Sequence, residues 1–346
     1  MKLYQLTIKP LSPFGTPLKG DTIFGHVCWQ AAYDAALLNG SLDEWIKKYD
    51  KEPFAVCSSA FPLLAGKESG GDIAFPRPQL PSGFLTGSFD NSKRCEKMIA
   101  RKKLKNKKWL LVGEDLKLQF RPQALMSDSE LFSRYYTNLS ENMRHGISAE
   151  NKKKLFLDDH QTHNSIDRLT GTTGSGDGFA PYSCGNISWC PGVKLVVLVL
   201  VNEVAMDEKQ LQVIFTRIGQ WGFGRDAGTG LGRFELIDCQ ERSFPDVKGA
   251  NACFTLSPSV PESGSYQRQY FTPFTRFGRH GDRLARSKNP FKAPVVMADE
   301  GAVFVPREQK VFPRPYLGRA VHDVSLAQPN AVAQGYSIYL PCEVAI

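Results

Sequence analysis

The chain has 346 residues, is 42% hydrophobic and 23% charged, and carries a formal net charge of +8. That length and composition suit two globular domains with a sizeable core, and they exclude a disordered or low-complexity polymer. The sequence holds no continuous apolar run of the roughly 18 residues a membrane helix needs, so no membrane partner is expected.

The charge is not spread evenly. Residues 93–108 (KRCEKMIARKKLKNKK) hold nine Lys or Arg and one Glu, and the remainder of the chain balances. A run of this kind reads as a solvated insertion or as a contact for a nucleic-acid backbone. Cysteines stand at 28, 57, 95, 184, 190, 239, 253 and 342. None forms a C-x2-C or C-x4-C pair, so neither zinc nor any other cofactor is expected. Free thiols in a reducing cytoplasm are the simpler expectation. The N-terminal stretch MKLYQLTIKPL alternates instead of offering the apolar core of a signal peptide.

In chain order, residues 3–10 alternate like a strand, with Tyr4, Leu6 and Ile8 on one face. After the turn SPFGTPLKG, Asp21 is placed to cap a helix. Phe24, Val27, Cys28 and Ala31 mark its apolar stripe, which runs to about Leu38. Residues 54–64 suggest a second strand. From about 66 to 191 the texture changes to Gly, Pro, Ser and Lys, with helical pieces near 128–144, and reads as long insertions. Residues 194–202 form a strand. Asp207 and Gln210 form a capping box, and Leu211, Ile214, Phe215 and Ile218 mark a helix ending near Gln220. A glycine-rich loop follows, then a strand at 232–238.

Strand, helix, strand, insertions, strand, helix, strand is the order of a ferredoxin-like split βαβ unit. The expectation is an α+β protein of two ferredoxin-like (RRM-like) domains, 1–243 and 244–346. Strands of the second are expected at 253–256, 293–297, 303–305 and 336–340.

The loop GFGRDAGTGLGRF spans residues 222–234. It is close to a dinucleotide fingerprint, but a helix precedes it and a strand follows. That is the reverse of the Rossmann order, and no Gly-Lys-Ser/Thr occurs to make a P-loop. Glycines still permit positive φ and close approach, and successive N–H groups can cradle an anion. Gly222, Phe223, Gly224, Arg225, Gly228, Thr229, Gly230 and Arg233 are therefore candidate phosphate-binding residues. A second anion site is expected where Lys19, Gly20 and Asp21 open the first helix. A third segment, HNSIDRLTG, offers His163, Asn164 and Arg168 to phosphate or base in an extended hairpin. Tyr182 is placed to stack there.

FGTPLKGDTIFGH, HNSIDRLTG and GFGRDAGTGLGRF appear in the order found in the RAMP superfamily of CRISPR proteins. Together with QGYSIYLPCEV at 334–344, they resemble the family of Csm subunit four in type III-A effector complexes. The resemblance implies a non-catalytic subunit that binds the crRNA 5′ handle. It also implies contacts with the large polymerase-domain subunit and with a backbone RAMP subunit. The three segments would then line the handle, while the basic run matches no motif of the family. Two other classes stay open. In one, His26 serves as a general acid/base in a metal-independent endoribonuclease that processes crRNA. In the other, residues 270–283, with their Phe and Pro residues, form the interface of a protein scaffold.

Overall fold

The computed structural model describes residues 1–65, 71–81, 83–84, 94–147, 153–174, 176–308 and 313–344. The first half builds a seven-stranded sheet. Its strands are β1 (Lys2–Pro10), β2 (Ala55–Ala65), β3 (Gly71–Pro76), β4 (Trp109–Val112), β5 (Leu125–Met126), β8 (Lys194–Val201) and β9 (Phe234–Arg242). Between β5 and β8 a separate hairpin stands off, made of β6 (Phe156–His163) and β7 (Tyr182–Trp189). The sheet order is β5-β4-β3-β2-β8-β1-β9. β8 is antiparallel to both β1 and β2, and β1 is antiparallel to both β8 and β9. Each βαβ unit is thus split by a strand of the other, as the sequence order requires. The crossover helices are α1 (Gly20–Tyr33) and α6 (Glu208–Trp221).

Local sequence explains both helices. Ile23, Phe24, Val27 and Ala31 of α1 are buried at helical spacing, as are Leu211, Ile214, Phe215 and Ile218 of α6. The expected capping box opens α6: Gln210 N–H donates to Asp207 Oδ1 and Asp207 N–H to Gln210 Oε1, both at 2.8 Å. Asp21 does not cap α1. The N-cap is Lys19, with no side-chain bond, and Asp21 points to another partner described below. The helix also stops at Tyr33, before a short 3-10 turn, and not at Leu38.

Much of the expected insertion is sheet. β3, β4 and β5 extend it beyond β2, because Ile73, Leu110 and Leu125 bury against the same core. Further helices are α2 (Leu42–Lys48) before β2, α3 (Arg94–Lys105) between β3 and β4, and α4 (Asp128–Thr137) and α5 (Glu141–His145) between β5 and β6.

The second half forms a five-stranded antiparallel sheet from β10 (Ala252–Thr255), β11 (Tyr266–Tyr270), β14 (Val303–Pro306), β15 (Tyr316–Gly318) and β16 (Tyr336–Cys342), in the order β11-β14-β10-β16-β15. A two-stranded arm, β12 (Pro273–Arg276) and β13 (Val295–Ala298), projects from it. The order β11-β14-β10-β16 repeats that of β2-β8-β1-β9, yet no α-helix occurs among the described residues of this half. The ferredoxin-like strand pattern is present, and its two crossovers, 256–265 and 307–335, hold no α-helix among the described residues; the second carries β15. Missing helices explain why the sequence pattern was faint there.

The halves share one hydrophobic core. Phe254 of β10 packs on Phe75 of β3 at 6.2 Å, and Tyr336 of β16 on Tyr49 at 5.5 Å. The joint is a β-bulge in β2 at Ser58 and Ser59. Ser58 Oγ accepts the Leu198 N–H at 2.8 Å, in place of a ladder bond. Ser59 N–H reaches across to Leu256 O at 2.9 Å. Beside it, fully buried Gln334 accepts the Cys57 N–H and donates to Cys57 O, both at 2.8 Å. Gln334→Ala strands both Cys57 groups away from water. It should lower unfolding free energy by about 2–4 kcal/mol in denaturant titration.

Candidate nucleic-acid interface

The glycine loop, the 14–26 segment and the β6–β7 hairpin meet at one place. Phe14 exchanges two backbone bonds with Ile187 of β7, each 2.9 Å. Arg225 N–H donates to Thr16 Oγ1 at 3.0 Å. The Arg225 guanidinium donates to Gly185 O at 2.6 Å and Asn186 Oδ1 at 3.0 Å, tying the loop to the hairpin. Gly224 N–H donates to His26 Nε2 at 3.1 Å, and the His26 ring lies 4.6 Å from that of buried Phe223. Burial pushes the His26 pKa down to about 4, which keeps the ring a neutral acceptor. With Nε2 occupied, His26 acts here as a backbone acceptor and packing residue.

The loop is more self-contained than the sequence suggested. The N–H groups of Gly222, Phe223, Thr229, Gly230, Leu231 and Gly232 donate to Ile218, Gly232, Asp226, Ala227, Asp226 and Pro13 carbonyls. Arg233 N–H binds Ser12 Oγ at 2.9 Å, and its guanidinium caps the end of α6 at Gln220 O. Most of the expected anion-binding nest is therefore spent on holding the loop's own shape. Arg225 and Arg233, expected as fork-shaped donors for phosphate, already have partners within the chain. What faces outward is the tip: Gly228 and Thr229 are exposed, and the N–H groups of Asp226, Ala227 and Gly228 have no acceptor among the described residues.

The glycines divide accordingly. At Gly232, φ is 72° and a Cβ would lie 2.1 Å from Phe223 O, so only glycine fits. At Gly228, a Cβ would meet nothing within 4 Å.

The Lys19–Asp21 site is also corrected. Lys19 Nζ binds Asp299 Oδ1 at 2.5 Å and Glu300 Oε2 at 2.7 Å, and sits 4.6 Å from the Phe274 ring centre. Asp21 makes a two-pronged pair with Arg276, at 2.5 and 2.8 Å. Gly20 presses α1 onto the β2 bulge, where a Cβ would stand 2.2 Å from Cys57 O. These residues latch α1 to the second half of the chain, and the Lys19 and Asp21 charges are engaged in those pairs. Their partners Arg276, Asp299 and Glu300 carried no pattern in the sequence, since pairing over some 255–281 positions leaves no local signal.

The hairpin behaves as expected in outline. His163 pairs with Tyr182 across the ladder and their rings stack at 5.4 Å and 14°. Asn164 Nδ2 donates to Thr173 Oγ1 at 2.7 Å, so it braces the hairpin's own tip. Arg168 is exposed and makes no hydrogen bond or ion pair among the described residues. An unforeseen aromatic cluster flanks the loop: Tyr33 stacks on Trp29 at 5.7 Å and meets half-exposed Trp221 edge-on at 5.3 Å. Among the described residues no three His, Cys, Asp or Glu side chains are grouped to hold a metal ion, and no helix is long and apolar enough to cross a membrane.

No family model and no curated protein matches the sequence. Solved structures do match. A chain of the Csm1–Csm4 cassette in complex with pppApA aligns with a TM-score of 0.57 at 15% identity, over 100% of this chain and 99% of that one. The cassette with AMPPNP gives 0.56 at 16%, over 100% of both chains. A chain of the Csm3–Csm4 subcomplex of the type III-A CRISPR-Cas interference complex gives 0.56 at 14%, over 99% of this chain and 100% of that one. This chain has their fold. The α+β fold expected from the order of strands and helices therefore agrees with that of these chains.

Gly232→Ala should cost about 2–4 kcal/mol of stability through strain and backbone clash, while Gly228→Ala stays within about 0.5 kcal/mol, as read by thermal melts. The latch should respond to pH. Burial, aided by the hydrogen bond and negative charge of Asp299 and opposed by Lys19, pushes Glu300 from the usual 4.5 up to about 7. A raised carboxyl pKa means that the folded state binds the extra proton. This contribution to stability is full below 4.5 and is lost as pH rises through about 7. Glu300→Gln should flatten the fall in melting temperature across that window.

Proposed function

We propose that this chain is an RNA-binding subunit of a type III-A CRISPR effector complex. It caps the crRNA 5′ handle without cutting it and joins the large polymerase-domain subunit to the backbone filament. The observation that carries this reading is the convergence on Arg225 of the glycine loop, the 14–26 segment and the hairpin, three segments distant in sequence. The loop tip then offers unpaired N–H groups and open space to a sugar-phosphate backbone. The hairpin adds the exposed Arg168 and the stacked His163–Tyr182 pair for phosphate and base. Lys19, Gly20 and Asp21 serve this interface only by fixing α1. The choice of subunit and partners is supported by the full-length likeness to chains from both the Csm1–Csm4 and Csm3–Csm4 assemblies, in which Csm4 is the shared subunit. Csm1 and Csm3 are then the large and backbone partners. The non-catalytic reading is supported by the engagement of His26 Nε2 with Gly224.

The test is a titration of handle-containing RNA into the chain, alone or with its large subunit. Arg168→Ala should weaken binding about 5- to 150-fold, the ~1–3 kcal/mol of a charged phosphate contact. Gly228→Asp should do the same with an unchanged melt. Wild-type affinity in both variants overturns the interface. Repeat RNA incubated with the chain, with or without divalent metal, should stay intact; a discrete cut that disappears in His26→Ala would make the protein a nuclease.

A further inference from the structure

The basic run is not a loose insertion. Residues 94–105 form α3, whose end is pinned: Arg77 Nη1 donates to Leu104 O and Arg77 N–H to Lys108 O, both at 2.7 Å, and Leu104 is buried. Lys93 lies outside the described residues. Lys107 pairs with Glu130, and Lys108 with Asp128 at 2.7 Å. Lys102, Lys103 and Lys105 are exposed and carry no ion pair among the described residues.

The pinning creates a groove of about 720 Å³ between residues 76–81, the end of α3 and the edge strand β11. That volume is in the range of ligand sites. Its lining includes Arg77, Lys105, Lys107 and Lys108, and no carboxylate among the described residues. Tyr270 and Phe271 close one side. Phe271 is 41% exposed, and Phe84 stands 5.8 Å from Tyr270.

We propose that this groove binds single-stranded RNA, at a site separate from the handle interface. Lysines along a groove track phosphates, and rings beside them stack bases of any sequence. An extended acidic peptide is the less suited occupant. The facing wall carries Pro76, Pro78 and Pro81, which have no N–H to donate to an added strand. The proposal does not rest on the handle reading, since its residues and its probe are different.

The probe is a fluorescent 12-nucleotide oligouridylate lacking handle sequence, titrated into the full chain at several salt concentrations. Lys105→Gln, at the groove lysine that carries no ion pair among the described residues, should lower the salt slope by about 0.7, the value of one phosphate no longer neutralised. Phe271→Ala should weaken binding about tenfold with the slope unchanged. Both alter exposed side chains, so melts should match the wild type. Gly228→Asp should leave oligouridylate binding intact. 4-Thiouridine crosslinks should fall in residues 76–84 or 266–276. Wild-type affinity in Phe271→Ala, displacement of the RNA by an equal concentration of polyglutamate, or crosslinks only in 163–182 or 222–233 would each overturn the proposal.

Discussion

A single irregularity in β2 organises the molecule. A regular strand would have turned only alternate residues to β8. The bulge at Ser58 and Ser59 puts one extra residue between Cys57 and Ala60, and the groups it turns outward find other partners. Ser58 Oγ restores the bond to Leu198, Ser59 N–H crosses to Leu256, and Ser59 Oγ receives Gly20 N–H at 3.3 Å. Gln334 closes the arrangement from β16's side by meeting both polar groups of Cys57. Buried polar groups are costly unless paired, so this network admits one relative placement of α1 and the two sheets.

That placement decides what the signature segments can do. With α1 seated on the bulge, Lys19 and Asp21 lie against the β12–β13 arm and the turn at Asp299–Glu300. There they form an ion-pair latch around the Phe274 ring. Charges that look available to a ligand in the sequence are consumed in joining the two halves. Further along the same helix, His26 reaches the glycine loop and fixes Gly224. One helix therefore sets both the inter-sheet latch and the loop.

The loop itself combines a rigid frame with an open tip. Gly222, Gly224, Gly230 and Gly232 all hold positive φ, which orders the frame, while Gly228 alone of the five has both ordinary backbone and empty space beside it. A frame that satisfies its own hydrogen bonds needs no ligand to form, so binding at the tip would not have to repay the cost of ordering it. The same economy holds at the other end of the large sheet, where α3 is fixed through Arg77 and its lysines remain exposed.

The first βαβ halves, the capping box at Asp207, the β6–β7 hairpin and the meeting of the 14–26 segment with the glycine loop were legible in the sequence. They rest on local periodicity, on capping chemistry and on a topology that a split βαβ order nearly dictates. The extension of the sheet by β3–β5 was not legible, because short strands between Gly, Pro and Lys carry little periodicity. The second half was legible only as scattered strands, since its crossovers lack helices. What only the tertiary structure decided is the fate of individual polar groups. Arg225 binds Asn186, Arg233 caps Gln220, Lys19 pairs with Asp299 and Glu300, and Arg168 stays free among the described residues. The residue types and motifs are local properties of the chain, whereas a charge is open or spent according to partners brought near by folding.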